Sequence, residues 1–326
     1  MKPPVREIAD NFFMITLPMP FRLKHVNVFV LIHDGHAVMF DTGLYIKETF
    51  SVLEASLNML SVSIKDIDRI FLTHFHADHS GIAGMIKKIS GASINMTMED
   101  YQSMDNYNRK EVRINHTKAF CIQQGFDMNK IDVLAENFAM FREATVPFEV
   151  EEFLEPDQTI TIGNIDFDVI STPGHTRGHV CFFFRKESIL LAGDHVLPHI
   201  TPNLSPDLFV HDFYPLRSYL DSLNKIKAFP ATGIYPAHGV PFIKLKERVE
   251  EIKEHHRQRM GLILESVQEK PKTAYEVSLD IFGKALPEFD KFLALNETYV
   301  HLIDLEGQGM VKTYKKDGRQ YFHMIR

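Results

Sequence analysis

The stretch Thr73-His74-Phe75-His76-Ala77-Asp78-His79 holds three imidazoles and a carboxylate within six residues, directly after the apolar run Ile70-Phe71-Leu72. Imidazole nitrogens and carboxylate oxygens suit borderline divalent cations, and a binding site needs several of them converging from a rigid support. If the chain stays extended past a strand, His74 and His76 at i and i+2 face one side. A turn into a following helix then swings Asp78 and His79 to an adjacent point. Two neighbouring metal positions can share such a loop. A single histidine would be read as an ordinary surface or core residue; four potential ligands so close together point to metal chemistry instead.

The elements around this loop follow from periodicity. Residues 11 to 41 alternate short β-rich runs (FFMITL, VNVFVLI, AVMF) with turn signals such as Asp34-Gly35, which predicts a stack of strands. Helical spacing over 46–60, a buried strand at 70–72 and a helix over 80–89, with Ser80 as its N-cap, give strand, helix, strand, helix. Residues 97 to 147 read as a helical insertion. Strands resume at 165–170, 179–184 and 188–192, followed by a helix near 216–226 and a strand around 233–235. After Pro241 a long charged helix, 244–268, leads to the capping box Thr273-x-x-Glu276, a helix over 290–306 stopping at Gly307, and a hairpin around Lys315-Lys316-Asp317-Gly318-Arg319.

H-x-H-x-D-H after a short strand resembles the signature of the metallo-β-lactamase fold, in its dinuclear hydrolase branch. Further marks stand in order: Ser171-Thr172-Pro173-Gly174-His175-Thr176-Arg177-Gly178-His179, Ala192-Gly193-Asp194, Ala237-His238-Gly239 and the early Phe40-Asp41-Thr42-Gly43 turn. The resemblance implies an α+β fold, a four-layer αββα sandwich over residues 1–242 followed by a small winged-helix-like domain over 243–326. It also implies two divalent metal ions. His74, His76 and His175 would hold one, Asp78, His79 and His238 the other, and Asp194 would bridge them. Asp78 and Asp194 are the candidate catalytic carboxylates. A metal-bridging hydroxide would attack the substrate, since two cations lower the pKa of a shared water and polarise the bond to be cleaved. Asp41 is the first candidate for orienting a ligand from behind. His179 reads as structural or supporting, His195, His199 and His211 as candidates to line the pocket, and Tyr214 as a candidate hydroxyl donor. Cys121 and Cys181 read as buried small hydrophobes.

Departures from the pattern narrow the chemistry. The best-known β-lactamases use a cysteine where Asp194 stands, and flavodiiron relatives carry Glu where His76 stands, so antibiotic hydrolysis and oxygen reduction are disfavoured. A mononuclear iron persulfide dioxygenase shares the same letters, and metal count separates it. Zinc is the default metal, with manganese or iron compatible with the same donors. The expected reaction is hydrolysis of an ester, thioester or lactone on a small-molecule acyl substrate, by analogy with the glyoxalase II-like class. Phosphodiester cleavage of single-stranded RNA is the alternative, because the domain pairing resembles an endoribonuclease branch.

Composition bounds the rest. With 326 residues and 44% hydrophobic content the chain can bury a large core, and a net charge of -7 argues against a protein that coats nucleic acid. Asn296 to Gly307 carries Glu297, Asp304 and Glu306 without Lys or Arg, the wrong sign for phosphate contact, so DNA is disfavoured while RNA and a homodimer stay open. Two cysteines, no signal-type leader and no apolar span predict a cytoplasmic protein without a membrane partner.

Overall fold

In the computed structural model, which describes residues 4–325, the alternating runs near the start form antiparallel strands β1 (Val5–Ala9), β2 (Phe12–Pro18), β3 (His25–His33) and β4 (His36–Phe40). Helix α1 (Lys47–Met59) leads to β5 (Ile67–Phe71), which lies parallel to β4. The short α2 (Ala77–Ser80) and α3 (Ala83–Ser90) lead to β6 (Ser93–Met96), parallel to β5. The insertion supplies α4 (Met98–Asn108), α5 (Lys110–Gln123) and α6 (Ile131–Glu143) before β7 (Glu152–Phe153) completes a seven-stranded sheet in chain order. A five-stranded sheet follows, built from β8 (Thr159–Ile162), β9 (Ile165–Ser171), β10 (Val180–Phe184), β11 (Ile189–Gly193) and, after α7 (Pro215–Ile226), β12 (Gly233–Pro236). Then come α8 (Leu245–Gln268), α9 (Ala274–Phe282), α10 (Glu288–Gly307) and the hairpin β13 (Val311–Lys316) with β14 (Arg319–Met324).

Period-two alternation explains the layers. Phe29, Leu31 and Phe40 face one core with Phe167, Phe182 and Phe184 of the second sheet. Their neighbours Val28, Val30 and Met39 face the other way, onto Leu53, Leu57, Ile82 and Ile86 of the helices. On the second sheet Cys181, Phe183 and Leu190 turn outward onto Leu216 and Leu223 of α7 and Val249 of α8. A strand whose two faces are both covered must be apolar at every position, which is why Val180–Phe184 reads as an unbroken run.

A fourth core joins parts far apart in sequence. Phe120, Cys121, Phe126 and Leu134 of the insertion pack with Ile263 and Val267 of α8, Leu295 and Leu302 of α10, and Phe322 of the hairpin. The insertion and the C-terminal helices therefore stabilise one another. The capping box is formed, with the Thr273 N–H donating to Glu276 Oε2 at 2.8 Å, and Asp317-Gly318, both at positive φ, turns the hairpin. Ser80 corrects one expectation. It caps no helix: its Oγ donates to the carbonyls of Phe75 (2.8 Å) and His76 (3.1 Å), and the chain makes α2 before starting α3 at Ala83.

Phe182 is fully buried, with ring centroids 5.2 Å from Phe40 and 5.7 Å from Phe167. Phe182→Ala should cost about 3–5 kcal/mol in denaturant unfolding, because the aromatic cluster can only partly collapse. Met59→Ala, at a position 60% exposed, should stay within about 0.5 kcal/mol of wild type.

Candidate metal centre

The ligands predicted from sequence come together at the C-terminal ends of β5, β9, β11 and β12, where loops leave the sheets. His74 Nε2 lies 3.1 Å and His175 Nε2 3.0 Å from His76 Nδ1, so three ring nitrogens face one another. Beside them, His238 Nε2 lies 3.3 Å and His79 Nε2 3.8 Å from Asp78 Oδ2. Asp194 stands between the two sets. Its Oδ2 is 3.5 Å from His175 Nε2, and its Oδ1 is 3.3 Å from His238 Nε2 and 3.6 Å from His79 Nε2.

The outer nitrogen of four rings is held by a neighbour, which fixes where the inner lone pair points. His175 Nδ1 donates to the Asn203 carbonyl at 2.9 Å, and His238 Nδ1 to the His25 carbonyl at 2.9 Å. His79 Nδ1 donates to Asp41 Oδ2 at 2.8 Å. Thr73 Oγ1 gives its proton to the same Asp41 oxygen at 2.8 Å, so it can accept from His74 Nδ1 at 3.0 Å. All four rings thus turn Nε2 inward. Asp41 itself, at a φ of 56°, is buried beneath the loop and also accepts the Thr73 N–H at 2.8 Å.

His79 Nε2, His238 Nε2 and Asp194 Oδ1 are buried without a hydrogen-bond partner among the described residues. Converging acceptors left bare in this way are costly unless a cation sits among them, so the donor set fits divalent metal ions. The electrostatics agree. Burial opposes charge on His79, yet Asp41, Asp78 and Asp194 outweigh it and lift its pKa to about 10; Asp194 and Asp78 likewise lift His238 to about 9 against burial. Asp78 is driven far below the carboxylate range, the cost of burial being overcome by His79 and His238. Around His76, burial and the neighbouring His175 depress the pKa to about 3, which leaves that ring neutral and able to bind metal.

His179 holds no ligand position. The Asp194 N–H donates to its Nε2 at 3.2 Å, so its proton sits on Nδ1 and goes to Thr172 Oγ1 at 2.8 Å. Gly193, at a φ of +50°, makes room for it: a Cβ there would lie 2.7 Å from His179 Nε2. The remaining pocket candidates fall elsewhere. His195 is buried against Tyr219, whose hydroxyl donates to the His195 carbonyl at 2.8 Å. His199 and His211 are exposed. Tyr214 is exposed too, at the start of α7, with the Arg217 guanidinium 5.4 Å from its ring centre.

Sequence reading missed three supports. Asp100 on α4, fully buried, accepts from the Phe75 N–H, the Gly178 N–H and Thr176 Oγ1, tying both ligand loops to the insertion. Asn27 on β3 donates to the carbonyls of Pro236 and Gly239 on either side of His238. Asn203, whose carbonyl orients His175, is anchored by its own side chain to the Leu293 carbonyl on α10 at 3.2 Å. Next to it, the Leu204 N–H donates to Glu297, and Glu297 sits with the buried pair His256 and His301, whose facing nitrogens are 3.1 Å apart. A T-x-x-D cap at Thr97 and Asp100 was the one available sequence signal, and it reads as a helix start rather than a clamp.

Asp41→Asn keeps the shape but puts an amide N–H2 where a donor must be accepted. Metal affinity at the His79 side should fall roughly 10–100-fold, with the His74, His76 and His175 set little changed, as read by competition with a chromogenic chelator.

A sequence profile of the Metallo-beta-lactamase superfamily matches residues 22–238. The chain is 26% identical over 331 residues to "Probable metallo-hydrolase YqjP" of Bacillus subtilis, spanning 98% of this chain and 99% of that protein. It is 22% identical over 244 residues to "Atrochrysone carboxyl ACP thioesterase AacuM" of Aspergillus aculeatus, spanning 74% and 60%. Among solved structures, a metallo-beta-lactamase family protein from Thermus thermophilus superposes with a TM-score of 0.87 at 26% identity, covering 98% of this chain and all of that one. With a family profile spanning both histidine loops, Asp194 and His238, the chain belongs to the metallo-β-lactamase superfamily and is a metal-dependent hydrolase.

Proposed function

We propose that this hydrolase cleaves an ester, thioester or lactone of a small acyl substrate with two divalent ions, zinc by default. The observation that carries the reading is the two-sided carboxylate of Asp194, one oxygen toward His175 and the other toward His79 and His238. Ions bound there would supply an ionised water near neutral pH and withdraw electrons from the scissile carbonyl. The chain's own part is orientation. Asp41, Thr73, Asn203 and the His25 carbonyl hold the imidazole tautomers, and His179 holds the backbone of Asp194.

An acyl substrate is favoured over RNA by the flank of the ligand loop. Phe75 lies 6.1 Å ring to ring from Tyr107, and Tyr107 6.3 Å from Phe138, an aromatic wall from the insertion that suits an apolar group. The thioesterase among the relatives carries the same chemistry in its name, which supports the class without fixing the substrate. We further propose that residues 243–326 form a winged-helix-like unit whose task is to brace the site. Glu297 and Asp304 on α10 are turned inward, 6% and 3% exposed, and a helix so buried offers no face to a nucleic-acid groove. A reducing, cytoplasmic setting fits Cys121 and Cys181, which are buried and unpaired with each other.

Two measurements test this. In calorimetry at pH 8 across buffers of different ionisation enthalpy, loading metal should release about three protons per chain, two from His79 and His238, which hold theirs to about 10 and 9 and must give them up to coordinate, and one from the water the ions would ionise. Release of one or none would contradict the ligand assignment. Parallel assays of a short thioester, an acyl lactone and a single-stranded oligonucleotide should show turnover of an acyl substrate that Asp78→Ala reduces at least about 1000-fold; cleavage of the oligonucleotide alone would replace the acyl reading with the ribonuclease one.

A further inference from the structure

Arg113 on α5 is 6% exposed, and no carboxylate pairs with it among the described residues. Its guanidinium lies 4.3 Å from the centre of the Tyr107 ring and 5.1 Å from that of Phe138. One terminal nitrogen donates to the Tyr107 carbonyl at 2.9 Å, while Nε is buried without a partner. A buried guanidinium ordinarily meets a carboxylate, because removing its charge from water is costly. Burial weakens the hold of Arg113 on its proton, Tyr107 opposes that in part, and Arg142 on α6 weakens it further. Arg142 forms no ion pair either, among the described residues, and both cations act on the Tyr107 hydroxyl.

This cationic corner is tied to the reaction centre. Tyr107 stacks toward Phe75, and the Phe75 ring lies 4.8 Å from that of His76, a metal-ligand candidate. The Phe75 N–H is fixed by Asp100 of α4, the helix that also carries Tyr107, so the corner and the ligand loop are tied to one helix. A guanidinium that lies over the Tyr107 ring with its Nε buried and unpaired keeps donor capacity suited to a carboxylate or a phosphate.

We infer that Arg113, with Arg142 and Tyr107, forms an anion seat that holds a carboxylate or phosphate carried by the substrate away from the bond being cleaved. The inference rests on the acyl-hydrolase reading and deepens it: the substrate is an anionic acyl compound, its charged end on the insertion and its carbonyl at the metals. The seat would favour charged over neutral acyl compounds through a charge-assisted contact that the aromatic rings alone cannot make.

The test compares three thioesters on the metal-loaded protein: S-phenyl butanethioate, its succinyl analogue with a terminal carboxylate, and a butanoyl thioester of a phosphate-bearing thiol. Wild type should prefer one or both anionic compounds by about tenfold or more in kcat/KM, with the preferred one identifying whether the charge sits on the acyl or the leaving side. In Arg113→Met that preference should fall about tenfold, and Arg142→Gln, at a less buried position, should lower it in the same direction if the Met variant folds poorly. Equal use of charged and neutral compounds, or a preference that both variants retain, would overturn the seat. A second readout is independent of turnover: inorganic phosphate should raise the wild-type Tm saturably, and less in either variant. If no thioester is cleaved but this shift is present and depends on Arg113 or Arg142, the acyl reading fails and the seat stands; a shift absent in wild type, or unchanged in both variants, overturns the seat.

Discussion

Five side chains aim bare acceptor atoms into one small buried space, and everything else around the site exists to keep them there. His74, His175, His79 and His238 each present Nε2, and Asp194 presents both oxygens. Lone pairs that face one another repel, and burial removes the water that would otherwise relieve them. The polypeptide alone answers by protonating His79 and His238, which is why their pKa values rise so far. Divalent ions answer better, since each cation is shared by several donors at once. The centre is therefore a local conflict that the fold maintains and the metal resolves.

The restraint comes from separate parts of the chain. The first sheet contributes Asp41 beneath the ligand loop and Asn27 beside His238. The insertion contributes Asp100, which draws the two ligand loops onto α4. The C-terminal helices contribute α10, which holds Asn203 and so the outer nitrogen of His175. These last two parts share one apolar core, so the stability of the tail and the alignment of His175 are coupled. That coupling gives the acidic, inward-facing α10 a role that needs no nucleic acid.

The sequence made the ligand loops legible because dense histidines and a carboxylate at strand ends have few other uses. The sheets were legible as well, since alternation over Val26–Leu31 and the unbroken run Val180–Phe184 report one and two covered faces of a neighbouring layer. What it hid were contacts between residues distant in sequence. Asp100 reads as a helix cap and Asn203 as a loop residue, because nothing local reveals that each bonds across more than 20 residues. Tyr214 and His211 show the limit in reverse: proximity to Asp194 in the chain made them candidates, and both are exposed in the segment leading into α7. Ser80 was misplaced because the turn of chain around Asp78 and His79 is itself helical, which spends the cap one element early.

The central claim is that one bridging carboxylate organises two metal positions, and elemental analysis of the purified protein tests it most directly. Two equivalents of divalent metal per chain are expected in wild type, about one in His238→Ala, whose loss leaves the His74, His76 and His175 set intact, and weakened binding of both in Asp194→Ala. A single equivalent of iron in wild type, unchanged in His238→Ala, would contradict it.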